Sequence, residues 1–380
     1  MKIVFAGRWS PLDKTAWSGI YYHTYQAIKR YADVQYFYYT WPWYLREWLI
    51  FQKQIQKLRS HKLAVEFLHD YARWFSRQLE KDLQRMKADI VFIPAAPQLI
   101  AYCKTDIPIV YLADATFQQL QGYYHSFSNL AAYNIRQGIE LDKNAFNKAA
   151  HCIVASDWAR LSAINDYKIP ENKISMLPFG ANLNAIPPVG DLKTECNEIC
   201  NLLFLGVEWE RKGGQTALDT FYTLQKRGFK ATLTIIGCTP PFVVNDKNIK
   251  VIPFINKNVN EESALLYDIF RETDFLLLPT RAECSAVVYC EASAFGIPSI
   301  TTNTGGIGNY VVDNFNGYML PLSGKADDYT DKITELFSHP RSYMQFRQNA
   351  RQRFEDLLNW DKWGQSFYKI AEQVLEGQPN

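Results

Sequence analysis

No run in this sequence approaches roughly 18 consecutive apolar residues, which excludes a helix long enough to cross a bilayer. Charge of one sign is also missing: 41 Lys and Arg stand against 39 Asp and Glu, so there is no general basic field of the kind that nucleic-acid binding uses. The cysteines at 103, 152, 196, 200, 238, 284 and 290 are odd in number and contain no double pair at zinc spacing. Cys196 and Cys200 have no His or Cys neighbours to complete a site, so the thiols read as reduced and no bound metal is expected. The opening MKIVFAGRWSP lacks a full apolar segment and a small-residue cleavage site; it reads as a first buried strand, and the expected location is cytoplasmic. Repeats of fixed period and low-complexity tracts are absent as well, which sets aside solenoids and disordered tails.

What is present is a chain of 380 residues, 47% of them hydrophobic, enough for two domains with their own cores. Short apolar runs recur between longer helical stretches, the pattern of an α/β protein whose parallel sheets are covered on both faces. In the first half the runs begin at Lys2, Val34, Ile90, Ile109, Cys152 and Ile174; in the second they begin at Ile199, Ala231, Ile249, Phe275, Ser299 and Tyr318. A Pro/Gly-rich stretch, Pro178 to Gly190, suits a hinge between the halves. The expected organisation is two Rossmann-like doubly wound domains, 1–185 and 186–358, facing across a cleft, with a helix over 359–380. Such sheets bind ligands outside the carboxyl ends of their strands.

Residues 41–87 stand apart, with Trp41, Trp43, Trp48 and Trp74 among ten Lys/Arg and five Asp/Glu. They predict two or three amphipathic helices. One reading makes these a cover for the first sheet with solvated basic faces; the other makes them a contact for a membrane surface or for a lipid-linked or anionic acceptor.

Three segments carry the chemistry. The first runs from Asp274 to Pro298 as strand, loop, helix and Gly296-x-Pro298 stop, with Glu283 just before the helix and Glu291 two turns along it. Ser285 is a candidate N-cap, which would leave the N–H groups of Ala286, Val287 and Val288 free for an anion such as a diphosphate. Taken alone, Glu283 and Glu291 read equally as a cap and a solvated helix residue; as acceptors they suit vicinal sugar hydroxyls. The second segment ends an apolar strand at Gly206 and passes through Arg211 and Lys212 to Gly213-Gly214. It lacks the spacing and Ser/Thr of a P-loop, but its cations suit phosphates. The third is Thr304-Gly305-Gly306-Ile307-Gly308, where glycines permit close backbone approach by a ligand.

In this order, on consecutive strand ends, these segments resemble the family 4 glycosyltransferases, which are retaining enzymes with the GT-B fold. The match is Glu283-x7-Glu291, Gly296-x-Pro298, Gly305-Gly306, Gly206 and Arg211-Lys212-Gly213. The first half fits more loosely: Ala16-Trp17-Ser18-Gly19-Ile20 resembles the family's early glycine loop, Ala155-Ser156-Asp157 a late strand end, and Leu177-Pro178-Phe179-Gly180 the turn between domains. The last helix, through Trp360 and Trp363, looks like the one that crosses back to the first domain.

The resemblance implies a nucleotide diphosphate sugar on the second domain. Glu291 would hold the ribose, Lys212, Arg211 and the helix start Ser285, Ala286 and Val287 the diphosphate, and Glu283 the sugar, with Gly206, Gly305 and Gly306 shaping the site. The acceptor, a saccharide, a lipid-linked saccharide or another hydroxyl compound, would lie on the first domain near Ser18 and Gly19. There Asp114 stands where the family often has a His-Asp pair, and it reads either as a catalytic carboxylate or as a turn cap. Val207, Cys284 and Asn309 depart from the commoner Arg, Gly and Glu, so donor contacts are expected to differ in detail. The implied reaction is hexosyl transfer with retention, without a cofactor or metal. Another GT-B activity, an epimerase or phosphorylase, is the alternative enzyme, and a two-domain sugar-binding protein the alternative outside catalysis.

Overall fold

β-branched and aromatic residues in short runs, closed by Gly, Pro or a polar pair, give strands that are buried on both faces. The computed structural model describes residues 1–58 and 61–377. Arg59 and Ser60, within the 41–87 stretch, and the last three residues of the expected terminal helix, 378–380, lie outside the described residues. All twelve expected runs form strands: β1 (Lys2–Gly7), β2 (Asp33–Tyr38), β3 (Ile90–Pro94), β4 (Ile109–Ala113), β5 (His151–Val154), β6 (Ile174–Met176), β7 (Cys200–Leu205), β8 (Ala231–Ile236), β9 (Ile249–Ile252), β10 (Phe275–Leu278), β11 (Ser299–Thr302) and β12 (Gly317–Leu320).

The chain divides into two compact units, Met1–Leu177 joined by the residues from Trp363 onward, and Pro178–Lys362. The first holds a parallel sheet in the order β2-β1-β3-β4-β5-β6. β3 and β4 are buried at every position, and Trp363 and Phe367 of the last helix (Trp360–Glu376) pack edge-on against Phe92 of β3. The second holds β12-β11-β10-β7-β8-β9, also parallel. In each sheet the winding direction reverses beside the founding strand, between β1 and β3 in one and between β7 and β10 in the other. These switch points, at the carboxyl ends, are where doubly wound sheets open a crevice.

The amino end of the second sheet is anchored by a buried charge cluster. Asp274, fully enclosed before β10, accepts from Lys193 Nζ at 2.5 Å, Tyr343 Oη at 2.6 Å and the Asn201 N–H at 2.8 Å. Arg347, equally buried, donates to the carbonyls of Thr273 (3.2 Å) and Phe295 (3.1 Å), fastening the helix Pro340–Asp356 to the sheet. Buried charges persist when paired and hydrogen-bonded in this way.

The 41–87 stretch divides into two helices with different roles. His69–Leu83 covers the first sheet, placing Phe75, Leu79 and Leu83 in its core. Trp43–Leu58 packs only a narrow side inward, through Leu49 against Val65, Leu68 and Tyr71. Its other face is not the purely basic cover that sheet-packing helices need: Trp43 is 77% exposed, and Tyr44, Trp48, Ile50 and Phe51 are exposed beside it.

Candidate active site

The strand β7 ends at Leu205, and Gly206 follows with its N–H on the carbonyl of Ile236. A side chain at Gly206 would lie 2.7 Å from Lys212 Cγ, so the glycine makes room for the lysine stem over the strand end. The turn Trp209–Lys212 then closes at Gly213, whose φ of +76° belongs to the left-handed region. A Cβ there would fall 1.9 Å from the carbonyl oxygen of Pro279, just after β10, so only glycine lets the two strand ends approach. Lys212 and Arg211 are thereby aimed into the β7/β10 crevice.

From the other side comes Glu283. Its Oε2 is bonded by Lys212 Nζ and by Arg211 Nη1 at 3.2 Å, and Arg211 also donates to the Ala282 carbonyl at 2.9 Å. Glu208 accepts from the outer edge of the same guanidinium at 2.9 and 3.0 Å. The Gly306 N–H donates to the Glu283 carbonyl at 3.1 Å, which brings the Gly305-Gly306 loop to the same point. Lys212 and Glu283 are both buried. The structure thus gathers Gly206, Arg211, Lys212, Glu283 and Gly306 around a single anion-holding spot, with a carboxylate of the chain as the anion.

The helix that follows starts later than expected. Ala286, extended at φ −94° and ψ 114°, is the N-cap, and the helix runs Val287–Ala294. Ser285 therefore lies outside the helix and does not cap it; its hydroxyl is buried without a hydrogen-bond partner among the described residues. Val207 is exposed to solvent, and Arg211 takes the cationic position beside Lys212.

Glu291 is not a solvated helix residue. It is 1% exposed, meets Lys257 Nζ at 2.5 Å and accepts from the Asn182 N–H. Burial raises its pKa above the ordinary glutamate value, and the Lys257 charge partly counters that rise. Lys257 follows β9 and was missed by the sequence reading, since a lone lysine in a loop has no spacing to mark it. It also lines a cavity of about 300 Å³ with Asn182, Asn184, Asn260, Ser263 and Tyr267. The two glutamates therefore have separate cationic partners, Lys212 and Arg211 for Glu283 and Lys257 for Glu291.

In the first unit, Trp17 and Ser18 adopt φ of 48° and 57°, and Gly19 continues the left-handed run before the helix Ile20–Lys29. Non-glycine residues held there store strain, which collects at ligand-contacting loops. Asp114 is half-buried at the end of β4. Nearby, burial pushes the Asp142 carboxyl up to about 6, and Asp114 adds to the rise against hydrogen bonds from the Phe117 N–H (2.7 Å) and Tyr167 Oη (2.9 Å). Arg8, at the end of β1, is a second residue that sequence reasoning did not single out.

Two family models match. "Glycosyltransferase Family 4" covers residues 19–185 and "Glycosyl transferases group 1" covers 201–353. An uncharacterized glycosyltransferase of Methanocaldococcus jannaschii is 29% identical over 135 residues, 36% of this chain and 37% of that protein. The capsular polysaccharide biosynthesis glycosyltransferase CapM of Staphylococcus aureus is 22% identical over 262 residues, 63% of this chain and 66% of that one. The matched stretches thus span between about a third and two thirds of these relatives' own length. The solved structure of sucrose-phosphate synthase from Thermosynechococcus elongatus superposes with a TM-score of 0.69 at 14% identity, covering 100% of both chains. The fold is GT-B.

Proposed function

Because this chain belongs to the family 4 glycosyltransferases, we propose that it moves a hexose from a nucleotide diphosphate sugar to an acceptor hydroxyl, with retention of configuration and without a divalent metal. The observation that carries this reading is the convergence of Lys212 and Arg211 on one carboxylate at the switch point of the second sheet. A diphosphate entering the crevice takes the place that Glu283 fills, and the buried Ser285 hydroxyl gains the partner it lacks. Glu283, released, contacts the sugar. Glu291, held by Lys257, accepts from the ribose hydroxyls.

The chemistry then follows from charge. The bond from the anomeric carbon to the phosphate oxygen breaks as the acceptor oxygen bonds to that carbon on the same face, and the acceptor proton passes to the departing phosphate. Negative charge grows on the leaving group, so Lys212, Arg211 and the N–H groups opening the helix Val287–Ala294 bind the transition state better than the ground state. These cations do the neutralising for which a metal would otherwise be needed. On the first unit, the Ser18-Gly19 loop and Asp114 face the acceptor in this reading, with Asp114 orienting its hydroxyl.

The test is a panel of UDP-, GDP- and ADP-sugars, screened by thermal shift and by donor hydrolysis with and without chelator. One donor should raise the melting temperature and be hydrolysed at the same rate in chelator. No shift with any of them would refute the donor site.

We also propose that the helix Trp43–Leu58 rests on an anionic membrane surface. At 16 residues it lies along a bilayer rather than across it, and Arg46, Lys53 and Lys57 form a basic stripe flanking the exposed Trp43, Trp48 and Phe51. The protein is expected to co-sediment with phosphatidylserine vesicles at low salt, weakly with phosphatidylcholine, and Trp43→Ser with Trp48→Ser should abolish the binding. Equal binding by the double variant would overturn the assignment.

A further inference from the structure

At the end of β1 the chain turns at Arg8, on the β1/β3 switch point of the first unit. Its backbone is fixed there: Tyr21 Oη accepts from the Arg8 N–H at 3.4 Å and donates to the Pro94 carbonyl at the end of β3 at 2.6 Å. Its guanidinium lies over Trp41 at 4.9 Å, Phe75 at 5.6 Å and Trp9 at 5.7 Å from the ring centroids. Among the described residues, nothing accepts a hydrogen bond from this guanidinium, and no carboxylate forms an ion pair with it. Glu66 acts on it only through space.

That arrangement is unusual for an arginine. A guanidinium has five N–H donors in a planar fork, and this one is half-buried with its donors open to a ligand rather than committed to the protein. The aromatic rings offer the cation their faces but no lone pairs. Trp41 and Phe75 themselves meet edge-to-face at 4.7 Å, so two walls of the cage brace each other. Burial also lowers the guanidinium pKa from its ordinary value, the mark of a cation held where a counter-anion would be welcome. A planar fork with free donors in a doubly wound crevice matches an oxyanion in bidentate fashion.

We propose that Arg8, caged by Trp9, Trp41 and Phe75, is the binding group for an oxyanion, a phosphate or a carboxylate, carried by the acceptor. This rests on the glycosyl-transfer reading for the word acceptor, but the anion site is testable without it. The helix Trp43–Leu58 begins two residues after Trp41, so the same site serves an anion free in solution or one borne on a lipid.

The experiment titrates methyl phosphate, then acetate, into the full chain while following tryptophan fluorescence, since Trp9 and Trp41 flank the guanidinium. A saturable change is expected in the wild type and equally in Lys250→Ala, which removes an exposed second-unit cation on β9. Arg8→Met should weaken methyl phosphate binding at least about tenfold, and Arg8→Lys, which keeps the charge but not the fork, by an intermediate factor. Arg8→Lys keeps the test open if Arg8→Met does not fold. Binding that is unchanged in Arg8→Lys and Arg8→Met would overturn the proposal. Phosphatidylcholine vesicles with and without phosphatidic acid distinguish the lipid source: competition with methyl phosphate only by the phosphatidic acid vesicles identifies it, and no competition identifies a soluble anion. If no nucleotide sugar is bound or hydrolysed while the phosphate isotherm still depends on Arg8, the transfer reading falls and the anion site stands.

Discussion

Lys212→Ala is expected to lower kcat/KM for sugar transfer by about 10²- to 10³-fold, the effect of removing one preorganised donor from a developing oxyanion. The larger share should fall on kcat, because the leaving phosphate carries more charge in the transition state than in the bound donor. Stability should change little for a buried ion pair, since Arg211 still reaches Glu283 at 3.2 Å and leaves no uncompensated carboxylate. Lys212→Arg should rescue poorly, as Arg211 already lies against Glu283 and a second planar fork is broader than the ammonium it replaces. Steady-state kinetics beside a melting curve decide the matter; a normal kcat/KM in a folded Lys212→Ala protein would remove this lysine from the chemistry.

Glu291→Gln moves a different parameter. The carboxylate offers two acceptor oxygens and is aligned by Lys257, whereas the amide has one acceptor and repels the ammonium with its own N–H groups. Donor KM is expected to rise about 10- to 100-fold, the worth of a hydrogen bond to a charged group, with kcat within a few-fold. The pH dependence has a definite sign. Burial raises the Glu291 pKa, so the ionised acceptor is present above that pKa and is lost as pH falls through it. Donor affinity of the wild type should therefore weaken on the acid side sooner than an ordinary glutamate would dictate, and the Gln variant should lack that limb. Equal acid limbs in both proteins would show that another group titrates.

The strands were legible because a run such as Ile90 to Ile93 is too short for a helix and too apolar for a loop, and each observed strand starts within one residue of expectation. The candidate site in the second unit was legible where local spacing carries it: Glu283 to Glu291, and Gly206 to Gly213. It failed at Ser285, where the residue type suits a cap but the extended backbone of Ala286 delays the helix and buries the hydroxyl. Lys257 and Arg8 were invisible for another reason. Their meaning comes from Glu291, 34 positions away, and from Trp41 and Phe75, brought to β1 only by folding. Pattern reading finds what neighbours in sequence do together; tertiary pairs of ordinary residues leave no such trace.

The Asp274 and Arg347 cluster has a consequence for how such a protein diversifies. It secures one end of β10, and the loop that carries Glu283 leaves from the other, about 13 Å along a four-residue strand. Perturbations that far apart, with no shared partner, add nearly independently. Substitutions in the Glu283 and Gly305 loops therefore leave the Asp274 and Arg347 contacts intact, and their cost to stability adds to that of changes there rather than compounding it. One end of the sheet carries heritable novelty, and the other supplies the tolerance that lets a lineage survive it.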